Sequence, residues 1–301
     1  MNWSLKIIEK HDEIAPVEDL QRRIWSGSEI DIIPAHLLQA AVHNGGLLIT
    51  ATTNIVDPSN QEQPENKELI GFVFGFPGFY TTPDGPRVKH CSHMLGVDPR
   101  YRNQGLGFAL KRAQWQMVRH QGIDRITWTY DPLLSPNAHL NIARLGAVCG
   151  TYLSNYYGAM RDQLNIGLPS DRLQVDWWVN SRRVNFRLSR RPRSLIQLDH
   201  MVSAEVKIIN EASLDQDGWP HPFKVELSPK AQPDPLILVE IPADFQSLKR
   251  AQPELALEWR MHTRGLFVNL FRQGYLITDF IHESSTPARS YYVLSFGEST
   301  F

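Results

Sequence analysis

Apolar residues recur along this chain in two periods, which sort it into strands and helices. Alternating runs at residues 3–8, 46–52, 68–76, 89–97 and 124–131 predict strands, because successive side chains of a strand point to opposite faces. Helical spacing holds at 16–25, 34–43 and 108–121, and the first two stretches open on proline, whose missing N–H costs nothing in a first turn. In the third, Leu110, Ala113, Met117 and Val118 are spaced for one buried face. A polar, proline-containing connection at 57–66 reads as a hairpin-type loop, and Pro83-Asp84-Gly85-Pro86 as a turn.

The second half continues the alternation less regularly. Residues 135–147 predict a short helix ended by Gly146, and 173–179, 204–210 and 236–241 predict strands. A long helical pattern at 244–273 should break at Pro253, and 275–281 with 291–296 read as paired strands. Together these elements predict an α/β fold: a 1–160 domain, a connecting segment at 161–200, and an appended α+β portion at 201–301. The connecting segment carries a basic run, Arg182, Arg183, Arg187, Arg190, Arg191 and Arg193, read as a solvated linker or a phosphate contact.

Composition narrows the chemistry. The 301 residues are 42% hydrophobic and carry a net charge of −1, so nothing global attracts nucleic acid or an anionic membrane, and any anion site must be local. The two cysteines, Cys91 and Cys149, form no disulfide framework and no metal-ligand spacing. No run approaches the roughly twenty apolar residues that span a bilayer, and the first ten residues lack a signal-peptide core; a soluble cytoplasmic protein is expected.

Residues 94–110, MLGVDPRYRNQGLGFAL, join a strand end to a helix through a glycine-bearing turn. Glycines let backbone N–H groups close on an anion, and the helix adds its free N–H groups and positive dipole end. The spacing at Gly105, Gly107 and Leu110 lacks the third glycine of a dinucleotide fingerprint, and no P-loop lysine follows. An ordinary glycine turn is the alternative. Three side chains bear on proton transfer. His93, on the strand before the turn, titrates near neutrality when unperturbed, so it is either a base or a histidine satisfied in the sheet; His90 invites the same question. Asp131, at the end of the 124–131 strand, is either a carboxylate for an ammonium or a turn cap.

The word Arg102-Asn103-Gln104-Gly105-Leu106-Gly107 behind Val97-Asp98-Pro99-Arg100-Tyr101 resembles the pyrophosphate loop of the GCN5-related N-acetyltransferases (GNAT), and the wording at 127–158 is similar to a bacterial group of predicted members. The resemblance covers about 3–160 and implies a mixed, mainly antiparallel sheet flanked by helices, opening in a V between its central strands. It also implies acetyl-CoA, or another acyl-CoA, as co-substrate, with no metal, and a small-molecule amine or amino acid as acceptor. A homodimer is an open alternative to a monomer.

Carried over residue by residue, Arg102, Asn103, Gln104, Gly105, Leu106, Gly107, Phe108 and Ala109 would hold the pyrophosphate. The backbones of Leu95 and Val97 would hold the pantetheine arm, with Gly96 permitting a bulge between them, and Asn141 would reach the same arm. The loop at 26–33 would border the acceptor. Ile142 stands where many members carry the tyrosine that protonates the departing thiolate, so Tyr152, Tyr156 and Tyr157 are the substitutes, Tyr156 first among them. The loss of that tyrosine also raises a non-catalytic acyl-CoA-binding or sensor module as the alternative function.

Overall fold

The computed structural model describes residues 3–25, 29, 32–54, 67–160, 166–189, 195–223, 225 and 232–297. The 57–66 connection, most of the 26–33 loop and Arg190, Arg191 and Arg193 lie outside them. The chain forms two compact units, Met1–Thr127 with Arg161–Gln163 and Trp128–Met160 with Leu164–Phe301. The division falls inside a strand, β5 (Arg125–Tyr130).

In unit 1, β1 (Trp3–Ile7), β2 (Leu47–Asn54), β3 (Lys67–Thr82) and β4 (Gly85–Val97) pair antiparallel in that order, and β5 starts parallel beside β4. The period-two rule puts Phe72 and Phe74 on one face of β3. There they pack with Ile14, Val17, Leu20 and Leu38 from α1 (His11–Ile14), α2 (Pro16–Ile24) and α3 (Ala35–His43). Gly71 faces the other way, against Leu106 and Leu110 of α4 (Leu106–His120), so helices cover both faces. The Gln21 side chain accepts from the Ile33 N–H (2.8 Å) and donates to the Ile33 carbonyl (3.0 Å), pinning the chain as it enters α3.

Unit 2 contains β6 (Val148–Leu153), β7 (Arg172–Trp178), β11 (Leu236–Ile241), β12 (Tyr275–Glu283) and β13 (Arg289–Phe296) as its main strands, in the order β7-β6-β12-β13-β11. These neighbours are antiparallel, β8 (Lys207–Ile208) adds a short parallel edge, and β9 (Ser213–Leu214) and β10 (Pro220–His221) form a separate two-stranded antiparallel sheet. Cys149 of β6 pairs with Ile277 of β12, which ties the 148–153 strand to the C-terminal hairpin. Pro253 does split the long helical pattern, into α8 (Phe245–Ala251) and α9 (Pro253–Arg272). Leu255, Trp259, Leu266, Phe267 and Leu270 form the buried stripe of α9, and Arg260 and Thr263 are buried on the same stripe. The architecture is therefore a mixed, mainly antiparallel α/β fold with an added C-terminal α+β region.

Several local expectations change. The predicted 204–210 strand is mostly turn after α7 (Leu198–Ser203), whose Gln197–His200 capping box starts a helix and leaves only β8 as strand. The 135–147 stretch is α5 (Ser135–Ala138) followed by the π-helix His139–Arg144. The described part of the basic run is not a solvated linker. It forms α6 (Arg182–Arg187), where the Arg187 Nη2 lies 2.5 Å from the buried Asp279 carboxylate and the Arg183 Nε donates to the Gly146 carbonyl.

Candidate functional site

The turn ahead of α4 is fixed before it reaches its glycines. Asp98, almost fully buried, accepts from both the backbone N–H and the side chain of Arg100, which hold its carboxyl below the ordinary range. The Tyr101 hydroxyl donates to Glu68 (2.9 Å). Gly105 then adopts φ +84° as the N-cap residue of α4, a left-handed conformation that an L side chain resists. It supplies no side-chain cap, and the first turn of α4 carries no acidic residue. The Ala109 N–H donates to the Gly105 carbonyl (3.0 Å), and the N–H groups of Leu106 and Gly107 precede the first i→i−4 bond of a helix. Arg102, Asn103, Gln104 and Gly105 are solvent-exposed, and Gly107, Phe108 and Ala109 half-buried; the Arg102 Nε folds back to donate to the Val97 carbonyl (3.2 Å). A left-handed glycine ahead of an acid-free helix N-terminus is the geometry of an anion seat.

The strand that delivers the chain to this turn is β4 (Gly85–Val97). β4 pairs with β5 at His90↔Ile126 and Cys91↔Thr127, and Ser92 and residues 94–97 pair with β3. Leu95 and Val97 lie in that stretch, opposite Val73 and Gly71. The bulge is not at Gly96, which stays in register with Phe72. It falls at His93, because Met94 pairs with Phe74 while Ser92 pairs with Gly75. Gly96 serves packing instead: a Cβ there would come within 2.7 Å of the Phe72 ring and 2.8 Å of Ile24.

The bulge leaves His93 exposed at one edge, with its ring against Phe76 (5.8 Å between centroids) and Phe74 (6.4 Å). The apolar rings withdraw the imidazole from water and lower its pKa, so it is neutral at pH 7 and able to take a proton.

His90 is fully buried in a polar cluster. The Lys111 Nζ donates to Ser92 Oγ (2.9 Å) and Gln114 Oε1 (3.0 Å), Ser92 Oγ donates to the same Oε1 (2.9 Å), and Gln114 Nε2 meets His90 Nε2 at 3.1 Å. An amide NH2 can only donate, so His90 accepts at Nε2 and carries its proton on Nδ1, which is buried without a partner. Burial, reinforced by the nearby Lys111, pushes the His90 pKa down to about 3, and burial likewise drives Lys111 well below its ordinary value. His90 is thus a core histidine and not an accessible base. The unfolded chain takes up this proton below about pH 6.5, whereas the folded chain refuses it until about pH 3. Stability from His90 is therefore complete above pH 6.5 and falls on acidification. Urea unfolding should show a loss approaching ~1.4 kcal/mol per pH unit between pH 6 and 4, and His90→Met should flatten that slope.

In unit 2 the structure revises the role of Asp131. Its two oxygens receive Nη1 and Nη2 of Arg260 (2.9 and 2.5 Å), and Oδ1 also accepts the Leu133 N–H (2.9 Å). A carboxylate so engaged anchors the chain and caps the turn after β5; it is not a free base. Asn141 is buried on the π-helix beside the fully buried Ile142. Tyr152 lies in β6, and its hydroxyl donates to Asp171 Oδ2 (2.7 Å), which Arg264 also forks. Burial, with the Asp171 charge beside it, raises the Tyr152 pKa and keeps its proton on. Tyr156 and Tyr157 are not in the strand but in the turn after it, packed edge to face; Tyr156 is half exposed, and the Tyr157 hydroxyl hydrogen-bonds Thr129 (3.0 Å).

With this geometry in place, the matching family can be stated. Residues 37–145 match the acetyltransferase (GNAT) family. The match takes in β2 through the π-helix, including the turn before α4. No curated protein sequence matches the chain. Among solved structures, Arabidopsis thaliana NAA60 in complex with a bisubstrate analogue is similar over 60% of this chain and 100% of its own, at 17% identity and a TM-score of 0.43. Ard1 from Thermoplasma volcanium is similar over 60% and 100%, at 16% identity and 0.42. The ribosomal-protein-S18-alanine N-acetyltransferase from Escherichia coli is similar over 60% and 96%, at 14% identity and 0.40.

The polar residues around the matched segment carry little signal in the sequence. Lys111 and Gln114 stand among apolar helix positions, and Arg260 and Arg264 sit far along the chain from their partners Asp131 and Asp171. The available signal was a charged residue on a stripe otherwise spaced for burial, as at Arg260. Among the described residues no group of His, Cys, Asp and Glu is placed to hold a metal ion, and no helix is long and apolar enough to cross a membrane.

Proposed function

We propose that the chain is an acyl-CoA-dependent N-acyltransferase, with acetyl as the donor group and a small amine or amino acid as acceptor. The observation that carries this reading is the acid-free N-terminus of α4 behind a left-handed Gly105, directly after the β4 strand and its short turn. The family match over 37–145 supports it, and the resemblance at 127–158 favours the bacterial group within that family without naming an acceptor.

In this reading the Arg102–Ala109 turn holds the CoA pyrophosphate, and the β4 backbone at Leu95 and Val97 lies along the pantetheine, with an N–H polarising the thioester carbonyl. The neutral amine nitrogen attacks the carbonyl carbon, the C–S bond breaks, and the products are an amide and CoA thiol. His93 receives the ammonium proton, directly or through water, and Tyr156 is the candidate donor to the thiolate. Holding both substrates in line supplies much of the rate.

The test is incubation with acetyl-CoA, succinyl-CoA and pooled amines, read by thiol release and by mass spectrometry of the products. His93→Gln should lower kcat at least about tenfold. The wild-type pH–rate profile should fall on its acid side below pH 6.5, since the His93 pKa is depressed, and the variant should lack that limb. The buried Ile142 at the usual tyrosine position favours one other reading, a non-catalytic acyl-CoA sensor. Tight CoA binding with no thiol release from any amine would select it.

A further inference from the structure

The buried cluster beneath β4 lies where three features of unit 1 meet. His90 and Cys91 are the residues of β4 that pair with β5, Ser92 follows, and the bulge falls on His93. His90 and Ser92 are two residues apart and both point toward α4, where Gln114 contacts each of them: its Nε2 meets His90 Nε2 at 3.1 Å and its Oε1 accepts from Ser92 Oγ at 2.9 Å. Lys111, one turn earlier on the same helix, donates to Ser92 and to Gln114.

A bulged strand has a nearby competitor in which the extra residue shifts by one, and such a slip exchanges inward and outward side chains. The Gln114 amide opposes it, because its two ends accept only a donor at position 92 and an acceptor at position 90. All four side chains are at least nine-tenths buried, so water does not readily replace these bonds if the register moves. The same helix begins at the anion-binding turn, two turns before Gln114.

We propose that Gln114 is a positioning residue that locks the β4 register, holding His90 and Ser92 inward so that His93 is presented outward between Phe74 and Phe76. Ser92 and Lys111 complete the lock. The proposal deepens the acyltransferase reading and rests on it for the role of His93, but the positioning itself is a property of the folded chain and can be observed without turnover.

The experiment follows the imidazole of His93 by NMR through a pH titration of the full-length protein, assigned with His93→Gln, in wild type, Gln114→Leu and Ser92→Ala. The groups facing His93 in unit 1 are the apolar rings of Phe74 and Phe76, and among the described residues no charged contact to it is formed. In wild type it should titrate below 6.5. In Gln114→Leu, release from the aromatic contact should move it up toward 6.5, and Ser92→Ala, which removes a single hydroxyl, should move it the same way by less. If thiol release is seen, Gln114→Leu should also lower kcat about tenfold, the scale of a displaced catalytic group, with CoA affinity by calorimetry within about twofold of wild type. An unchanged His93 titration in both variants would overturn the proposal. Absence of turnover in all three proteins, with the titration shifted, would instead reject the acyltransferase reading and leave the register lock standing. Should Gln114→Leu fail to fold, Ser92→Ala decides alone.

Discussion

Gly105→Glu should abolish acyl-CoA binding in calorimetry, while Gly105→Asn should retain most of it. The two substitutions separate backbone conformation from charge. A Cβ at Gly105 meets nothing within 4 Å, so neither side chain is excluded by volume. Both must adopt φ +84°, which costs most L-residues roughly 1–2 kcal/mol and asparagine less. Glutamate also brings a carboxylate to the seat of a diphosphate. At about 4 Å and a surface-like dielectric, repulsion between two unit charges is on the order of 4 kcal/mol, so a loss of affinity beyond about a hundredfold is expected. If Gly105→Glu bound CoA as wild type does, the pyrophosphate would have to sit elsewhere.

The largest effect on stability is expected at Asp131. Replacing it with alanine leaves the Arg260 guanidinium, 2% exposed, without the carboxylate that takes both its Nη groups, and strands the Leu133 N–H. Breaking a buried pair from one side costs about 3–5 kcal/mol, so the urea midpoint and Tm of Asp131→Ala should fall sharply. Asp131→Leu combined with Arg260→Leu should recover much of the loss, because it removes the buried charge together with its partner. A double variant as unstable as the single one would show that the pair contributes shape more than charge balance.

What could be read from the sequence was what local pattern determines. The glycine turn, the α4 helix, the β5 strand and the Pro253 break all stand where residue types and periods placed them, because each depends on neighbours within a few positions. The 135–147 helix began at the right residue but not in the right form, since apolar spacing does not separate an α-helix from a π-helix. The bulge was misplaced by three residues. Glycine at 96 suggested it, but what distinguishes His93 is the cross-strand register, fixed by side chains on β3 and α4. Lys111 and Gln114 are not legible in the sequence, because a polar residue becomes a core residue only through partners that linear spacing does not reveal. The same is true of Asp131, whose partner lies 129 residues later.

That separation bears on how the chain can change over generations. Asp131 ends within the stretch that matches the GNAT family, yet its counter-ion is on α9, well past the end of that match. Exchanging either residue by itself strands the other, so substitutions at the two positions are expected to be energetically coupled. Helix α9 is thereby tied to the turn after β5 by one buried ion pair. Its deletion, or replacement by an unrelated module, would require simultaneous rewriting at a position more than a hundred residues upstream.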